Sequence, residues 1–336
     1  MATKEQTPEA IPTHDAALEP LAPVKKLHVI MNPVSGQNPV VPEKIQEMLE
    51  LTGLEYKLYI TRGNGDAERF AKEAADAGAD VVAAYGGDGT VMSVGSALMG
   101  TGIPLAILPA GTANVMSVEL NVPQDLEGAL LLARGENAAM RTIDIGRLNG
   151  DYNFLLRVGV GLEAETTINT PREEKKKLGR LAYFKSAISA FWNARRVRYR
   201  IAIDGETHYV TGVTCVICNS ANIGVGNFAF APEISVSDGY LDVVVLPGRD
   251  PGSLGSLVRS VIRSAQPDAK EDEAIPHWKG KEVSIRASRV QGIGLDGEKL
   301  EIGYPLEATV VPHAIKVVVP IPPDTQGQVQ PPIEPE

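Results

Sequence analysis

Three short loops in the first third of the chain hold the residue types that could do chemistry. The densest is Gly86-Gly87-Asp88-Gly89-Thr90. Glycine lets backbone N–H groups come close to a ligand. A helix starting just after such a loop adds partial positive charge and free N–H groups. Together these make a cradle for phosphate. Asp88 would repel a bare phosphate, so an acid there makes sense if it binds Mg2+ or takes a proton from an attacking hydroxyl. The second loop is Pro109-Ala110-Gly111-Thr112-Ala113-Asn114, where Thr112 offers a hydroxyl and Asn114 an amide to phosphate or ribose. The third is Asn32-Pro33-Val34-Ser35-Gly36.

Each loop follows an apolar run of strand length: Lys26–Met31 (KLHVIM), Asp80–Tyr85 (DVVAAY) and Pro104–Leu108 (PLAIL). Helical spacing fills Pro42–Leu51, Asp66–Gly78, Val91–Leu98 and Leu126–Ala133, and Tyr56–Thr61 reads as a further strand. Asp66 is the expected N-cap of its helix and Gly78 its stop. Alternating strands and helices imply a parallel α/β sheet. The three loops then share one sheet edge, where ligands bind in such folds. There is no G-x-x-x-x-G-K-[ST] and no spaced G-x-G-x-x-G after the first strand, which disfavours a P-loop enzyme and a Rossmann dehydrogenase.

From about Arg141 the pattern changes. Thr142–Leu148, Tyr152–Val158, Val197–Ile203, Tyr209–Cys218, Leu241–Leu246, Glu282–Ala287 and Val290–Leu295 read as strands, with a hairpin turn at Asp204-Gly205. Helical stretches are expected only around Leu178–Trp192 and Ser253–Ser264. The second half is therefore an antiparallel β-rich domain of sandwich type.

The chain has 336 residues, net charge −10 and 43% hydrophobic residues. The acidic balance argues against bulk nucleic-acid binding. Cys215 and Cys218 are the two cysteines. They fall three apart on a strand pattern, so they face opposite ways and read as core thiols rather than a redox or metal pair. The first residues show no apolar leader pattern, and no apolar run approaches ~18 residues. A cytoplasmic protein is expected. Residues 1–24 and the Pro/Gln-rich stretch from 321 to 336 read as disordered tails.

The ordered trio Asn32-Pro33-x-Ser35-Gly36, GGDGT and P-x-G-T-x-N resembles the diacylglycerol kinase catalytic-domain family, relatives of the sphingosine and ceramide kinases. Ala231-Pro232-Glu233, Asp238-Gly239-Tyr240-Leu241-Asp242 and Leu295-Asp296-Gly297-Glu298 are similar to that family's C-terminal signatures. The resemblance spans residues 26 to 320. It implies a Rossmann-like three-layer α/β domain over 25–141, a lipid-substrate β sandwich over 142–310, and a last strand over 311–320 returning to the first domain. It implies ATP-dependent phosphorylation of a lipid hydroxyl, diacylglycerol or a related lipid, with Mg2+. Asn32, Thr61, Gly86, Gly87, Asp88, Gly89, Thr90, Gly111, Thr112 and Asn114 are the implied nucleotide contacts. Asp88 and Asp296 are expected near Mg2+ and Glu298 as the base, although the sphingosine kinases point to Asp88 for that role. Ser235, Asp238 and Tyr240 correspond to a structural Mg2+ site, in which only the Asp238 side chain is required. Read from the residues alone, both Asp-Gly pairs are also ordinary turn signals.

Arg172 to Arg200 carries ten Lys/Arg and two Glu, +8 inside an acidic chain, with Leu178, Leu181, Ile188, Phe191 and Trp192 as an apolar stripe. Such a segment suits an anionic bilayer, from which a lipid kinase draws its substrate. It equally suits a packed helix with a solvated face. A homodimer is compatible with this reading. The competing functions are an NAD kinase, which shares GGDGT but lacks a fitting Asn-Glu pair here, and a non-catalytic nucleotide- or lipid-binding regulator.

Overall fold

The computed structural model describes residues 17–36, 40–161, 194–222, 233–246, 248 and 275–322. The first half runs β1 (Glu19–Pro20), β2 (Lys26–Met31), α1 (Pro42–Glu50), β3 (Glu55–Ile60), α2 (Asp66–Asp76), β4 (Val81–Gly86), α3 (Asp88–Leu98), β5 (Leu105–Pro109), α4 (Val115–Glu119) and α5 (Leu126–Ala133). The second half is β6 (Ala138–Leu148), β7 (Tyr152–Phe154), β8 (Arg157–Gly161), β9 (Val197–Ile203), β10 (Glu206–Gly212), β11 (Thr214–Cys218), β12 (Leu241–Leu246), β13 (His277–Gly280), β14 (Glu282–Ala287), β15 (Ile293–Leu295), β16 (Glu298–Leu300) and β17 (Leu306–Pro320). The helical expectations at Leu178–Trp192 and Ser253–Ser264 lie outside the described residues.

Strands β2 to β5 are parallel, in the order β5-β4-β2-β3. The chain leaves β2 toward β3, then returns across β2 to β4. Right-handed crossovers therefore put α1 on one face and α2 and α3 on the other. The reversal also makes a switch point between the ends of β2 and β4, where a crevice opens. The core of this layer is aliphatic: Val29, Ile30, Met31, Val81, Val82, Leu105 and Leu108 are buried between the helices.

One sheet runs through both halves. Its path is β10-β9-β14-β17-β5-β4-β2-β3, with β6 also against β17. The first part of β17 pairs antiparallel with β14, and its second part lies parallel to β5 at Val317↔Leu105. Between them the register against β6 shifts from Val311 to Ile315, where His313 takes φ +51°. A second, antiparallel sheet, β13-β12-β11-β8-β15-β16, closes the sandwich. Tyr199, Phe154, Ile201, Ile217, Val243 and Ile285 fill the space between the sheets.

Several local expectations shift. Residues before 25 already take part in the fold: Glu19–Pro20 pairs with β6, Glu19 meets Lys316 at 2.7 Å, and Val24 is buried. Asp66 is not an N-cap. It is the first helical residue, behind Gly65, and its Oδ2 accepts the Arg62 and Gly63 N–H groups of the preceding turn. Tyr209–Cys218 is two strands in two sheets, parted at Gly212, where a Cβ would lie 2.6 Å from the Leu246 carbonyl oxygen. Cys215 and Cys218 do face opposite sides of β11, each buried in a different core.

Candidate active site

The β2, β4 and β5 ends are tied in register, so their loops meet. Asn32 donates its backbone N–H to Tyr85 O (2.9 Å), Ala110 to Gly86 O (2.9 Å) and Thr61 to Met31 O (2.9 Å). Asn32 Nδ2 donates to Thr90 Oγ1 at 3.3 Å, which joins the first loop to the glycine loop. The backbones approach so closely that side chains are barred. A Cβ on Gly36 would overlap the Ala110 carbonyl oxygen, and one on Gly111 would sit 2.6 Å from Gly87 Cα. The glycine loop opens α3, with Gly87 as N-cap and Asp88 as first helical residue. Asn114 sits at φ +49° before α4, and its buried Oδ1 has no partner among the described residues. This is a backbone cradle at the switch point, next to a helix N-terminus, and it fits a nucleotide phosphate chain. The structure brings Asn32, Thr61, Gly86, Gly87, Asp88, Gly89, Thr90, Gly111, Thr112 and Asn114 to this one edge.

The three candidate acids differ in what they already hold. Asp296 takes φ +47° in the β15–β16 turn, and its carboxylate accepts the N–H groups of Leu155, Leu156 and Arg157 at 2.8–2.9 Å. Burial raises its pKa to about 6, while those donors pull it back. Asp88 Oδ1 accepts the Met116 N–H at 3.1 Å, at the start of α4. Glu298 is exposed, and a Cβ built on Gly89 would lie 3.9 Å from its Oε1. The turn fixed by Asp296 thus hangs Glu298 beside the glycine loop of the other domain.

Ser235, Asp238 and Tyr240 lie together before β12, but Asp238 already carries a cation. Lys279 Nζ is 2.7 Å from its Oδ2 and also donates to Glu233 O at 3.2 Å. Its Oδ1 accepts the Tyr240 N–H at 3.0 Å. Mg2+ at its usual ~2.1 Å from this carboxylate would crowd the ammonium, so the arrangement does not fit a metal bound to Asp238. Among the described residues, no group of three His, Cys, Asp or Glu side chains is placed to hold a metal ion.

Other residues here had no signal in the sequence. Asp144, fully buried on β6, accepts from His313 N and Gly239 N, both at 2.7 Å, and so pins the β17 shift to the Asp238 turn. Burial raises its pKa. Arg141 donates to Ser237 Oγ at 2.7 Å. Asn219 Nδ2 donates to Leu155 O and Asp144 O. In each case the partner is distant in sequence, so no local pattern pointed to it.

A phosphate cradle at a switch point, with an acid hung over it by a β sandwich sharing the same sheet, defines a two-domain phosphotransferase. Residues 26–148 match the diacylglycerol kinase catalytic domain, and residues 156–319 match the YegS C-terminal NAD kinase beta sandwich-like domain. The chain is similar to the diacylglycerol kinase of Bacillus subtilis, 30% identical over 283 residues covering 82% of this chain and 90% of the relative. It is 31% identical over 323 residues to an uncharacterized protein of Synechocystis, covering 92% of this chain and 73% of that one. A crystal structure of a diacylglycerol kinase from Bacillus anthracis superposes with a TM-score of 0.69 at 27% identity, covering 90% and 98% of the two chains. The chain belongs to the diacylglycerol kinase catalytic-domain family. It is a lipid kinase that uses ATP and an alcohol acceptor.

Proposed function

We propose that the chain transfers the γ-phosphoryl group of ATP to the hydroxyl of diacylglycerol or a closely related lipid, with Glu298 as general base. The observation that carries this is the position of Glu298 Oε1 against Gly89. Phosphoryl transfer needs positioned phosphates, a cation and a proton acceptor near the nucleophile. The cradle supplies the first. Mg2+ would come with the nucleotide, and Asp88, first residue of α3 on the glycine loop, would help hold it and neutralise the phosphate charge. Asp296 spends its oxygens on three N–H groups and acts by holding the turn. Glu298 is left facing the cleft to take the hydroxyl proton.

The test is a lipid-panel assay with product mass analysis on the wild type and Glu298→Gln. Loss of a general base lowers kcat by roughly 10²–10⁴-fold. Nucleotide affinity should stay within about twofold, because the cradle is untouched. If Glu298→Gln turns over normally and Asp88→Asn does not, the base is Asp88.

The lipid comes from a membrane surface. No helix among the described residues is long and apolar enough to cross one. Arg172–Arg200 is the proposed contact, and only its end, residues 194–200, is described. There Val197 and Tyr199 point into the sandwich core while Arg198 and Arg200 are exposed.

A further inference from the structure

The site draws its base from one domain and its phosphate cradle from the other, so something must hold the two in register. Helix α4 is gripped at both ends. At its start, the Met116 N–H is bound by Asp88 Oδ1 at 3.1 Å. At its end, Glu119 turns its carboxylate into the second domain. There Oε2 accepts the Ser220 hydroxyl at 3.1 Å and the Asn222 N–H at 3.0 Å. From Asn222 the path continues through side chain and backbone. Arg157 Nη1 donates to Asn222 O at 2.8 Å, and the Arg157 N–H donates to Asp296 Oδ1 at 2.8 Å. Asp296 is two residues before Glu298, whose Oε1 lies beside Gly89, the neighbour of Asp88. Hydrogen bonds and short stretches of chain thus link Asp88 through α4, Glu119, residues 220–222, Arg157 and Asp296 to Glu298, which faces Gly89 across the gap: a Cβ built on Gly89 would lie 3.9 Å from its Oε1.

We infer that Glu119 is a positioning residue for the transfer reaction, clamping residues 220–222 so that Glu298 stays over the nucleotide. The carboxylate is the right group for this. It is a short acceptor meeting an N–H and a hydroxyl at once, and a charged acceptor makes the stronger hydrogen bond. It is half-buried, and desolvation raises its pKa while the Asn222 N–H and the Ser220 hydroxyl lower it. The Glu119 carboxylate is taken up by Ser220 and Asn222 and makes no hydrogen bond to the glycine loop or Glu298 among the described residues, so it acts through this path and not on substrate.

This inference rests on Glu298 being the base, and the experiment separates the two ideas. Glu119→Ala and Glu119→Gln are made in the wild type and in Glu298→Gln. Displacing a catalytic group by about 1 Å costs on the order of 10²-fold in rate. Glu119→Ala should therefore lower kcat by roughly that factor, with Gln, which keeps one acceptor, in between. The Kd of a fluorescent ATP analogue should stay near wild type. In the Glu298→Gln background, Glu119→Ala should cost nothing further, because residues acting as a unit are non-additive. An equal loss in both backgrounds, or a parallel loss of nucleotide affinity, overturns the inference. Hydrogen exchange needs no turnover: Glu119→Ala should speed exchange at residues 155–157 and 293–300 and leave 86–91 unchanged. Unchanged exchange at 293–300 also overturns it. Normal turnover by Glu298→Gln alone, with the exchange result as expected, refutes the base assignment and leaves the clamp standing.

Discussion

Lys279 reaches Asp238 at 2.7 Å from the neighbouring strand and stands 3.8 Å from Asp242, so its ammonium already fills the space in front of the Asp238 carboxylate. Two unit positive charges ~4 Å apart repel by about 4 kcal/mol at an effective dielectric of 20. A divalent ion would double that. The nucleotide-free protein should therefore show no saturable Mn2+ binding by electron paramagnetic resonance at millimolar ion, and Lys279→Met should create one site. A wild-type site that Asp238→Asn removes would refute the lysine as the resident counter-ion. Lys279 also shows what a sequence can and cannot convey. Gly-rich loops announce themselves because their chemistry is local, and all three were readable. Asp296 was readable as a motif but not in its role, since its partners Leu155, Leu156 and Arg157 lie about 140 positions away. Glu119, in a five-residue helix with neither a capping side chain nor a periodic stripe, gave no signal.

Strands β12 and β13 carry a second charged pair, with His277 set between carboxylates. Nε2 lies 2.6 Å from Asp242 Oδ1, and Nδ1 lies 3.3 Å from Glu233 Oε1. Burial pulls the His277 pKa down, but the two carboxylates outweigh it and raise the pKa from 6.5 to about 9. A folded-state pKa above the unfolded one stabilises fully below about pH 6.5 and loses that stabilisation as pH rises through about 9. The shift corresponds to at most about 3 kcal/mol. Thermal melts across pH 6 to 10 should show a falling Tm in this window, and His277→Gln should flatten it. A wild-type profile flat over that range would refute the assignment. Elements themselves were legible where periodicity was unbroken, as in β2, β9, β12, β14 and α5. The reading failed at Gly212, where an apparently continuous strand crosses between sheets because a residue without a side chain passes the Leu246 backbone.

At the scale of the whole molecule, charge is distributed unevenly: −10 in total, yet +8 over residues 172–200. Each Lys or Arg near an anionic surface contributes about 1 kcal/mol. Reversing Lys175, Lys176 and Lys177 to Glu should lower co-sedimentation with phosphatidylglycerol vesicles at least about tenfold. Unchanged sedimentation would remove this segment as the membrane contact. The switch from βα alternation to a strand-rich second half was legible. The continuity of the sheet was not, because it rests on residue 317 lying beside residue 105, a pairing no local pattern encodes. That late strand has a consequence for how the protein is made. As the ribosome delivers the chain, β5 waits with one side bare until β17 emerges, more than two hundred residues later. Long-range pairing of this kind is slow and leaves strand edges open to wrong partners. The nucleotide half cannot finish its own sheet during synthesis, so a chain cut short before Leu306 should be a client for chaperones and not a free-standing ATP-binding fragment.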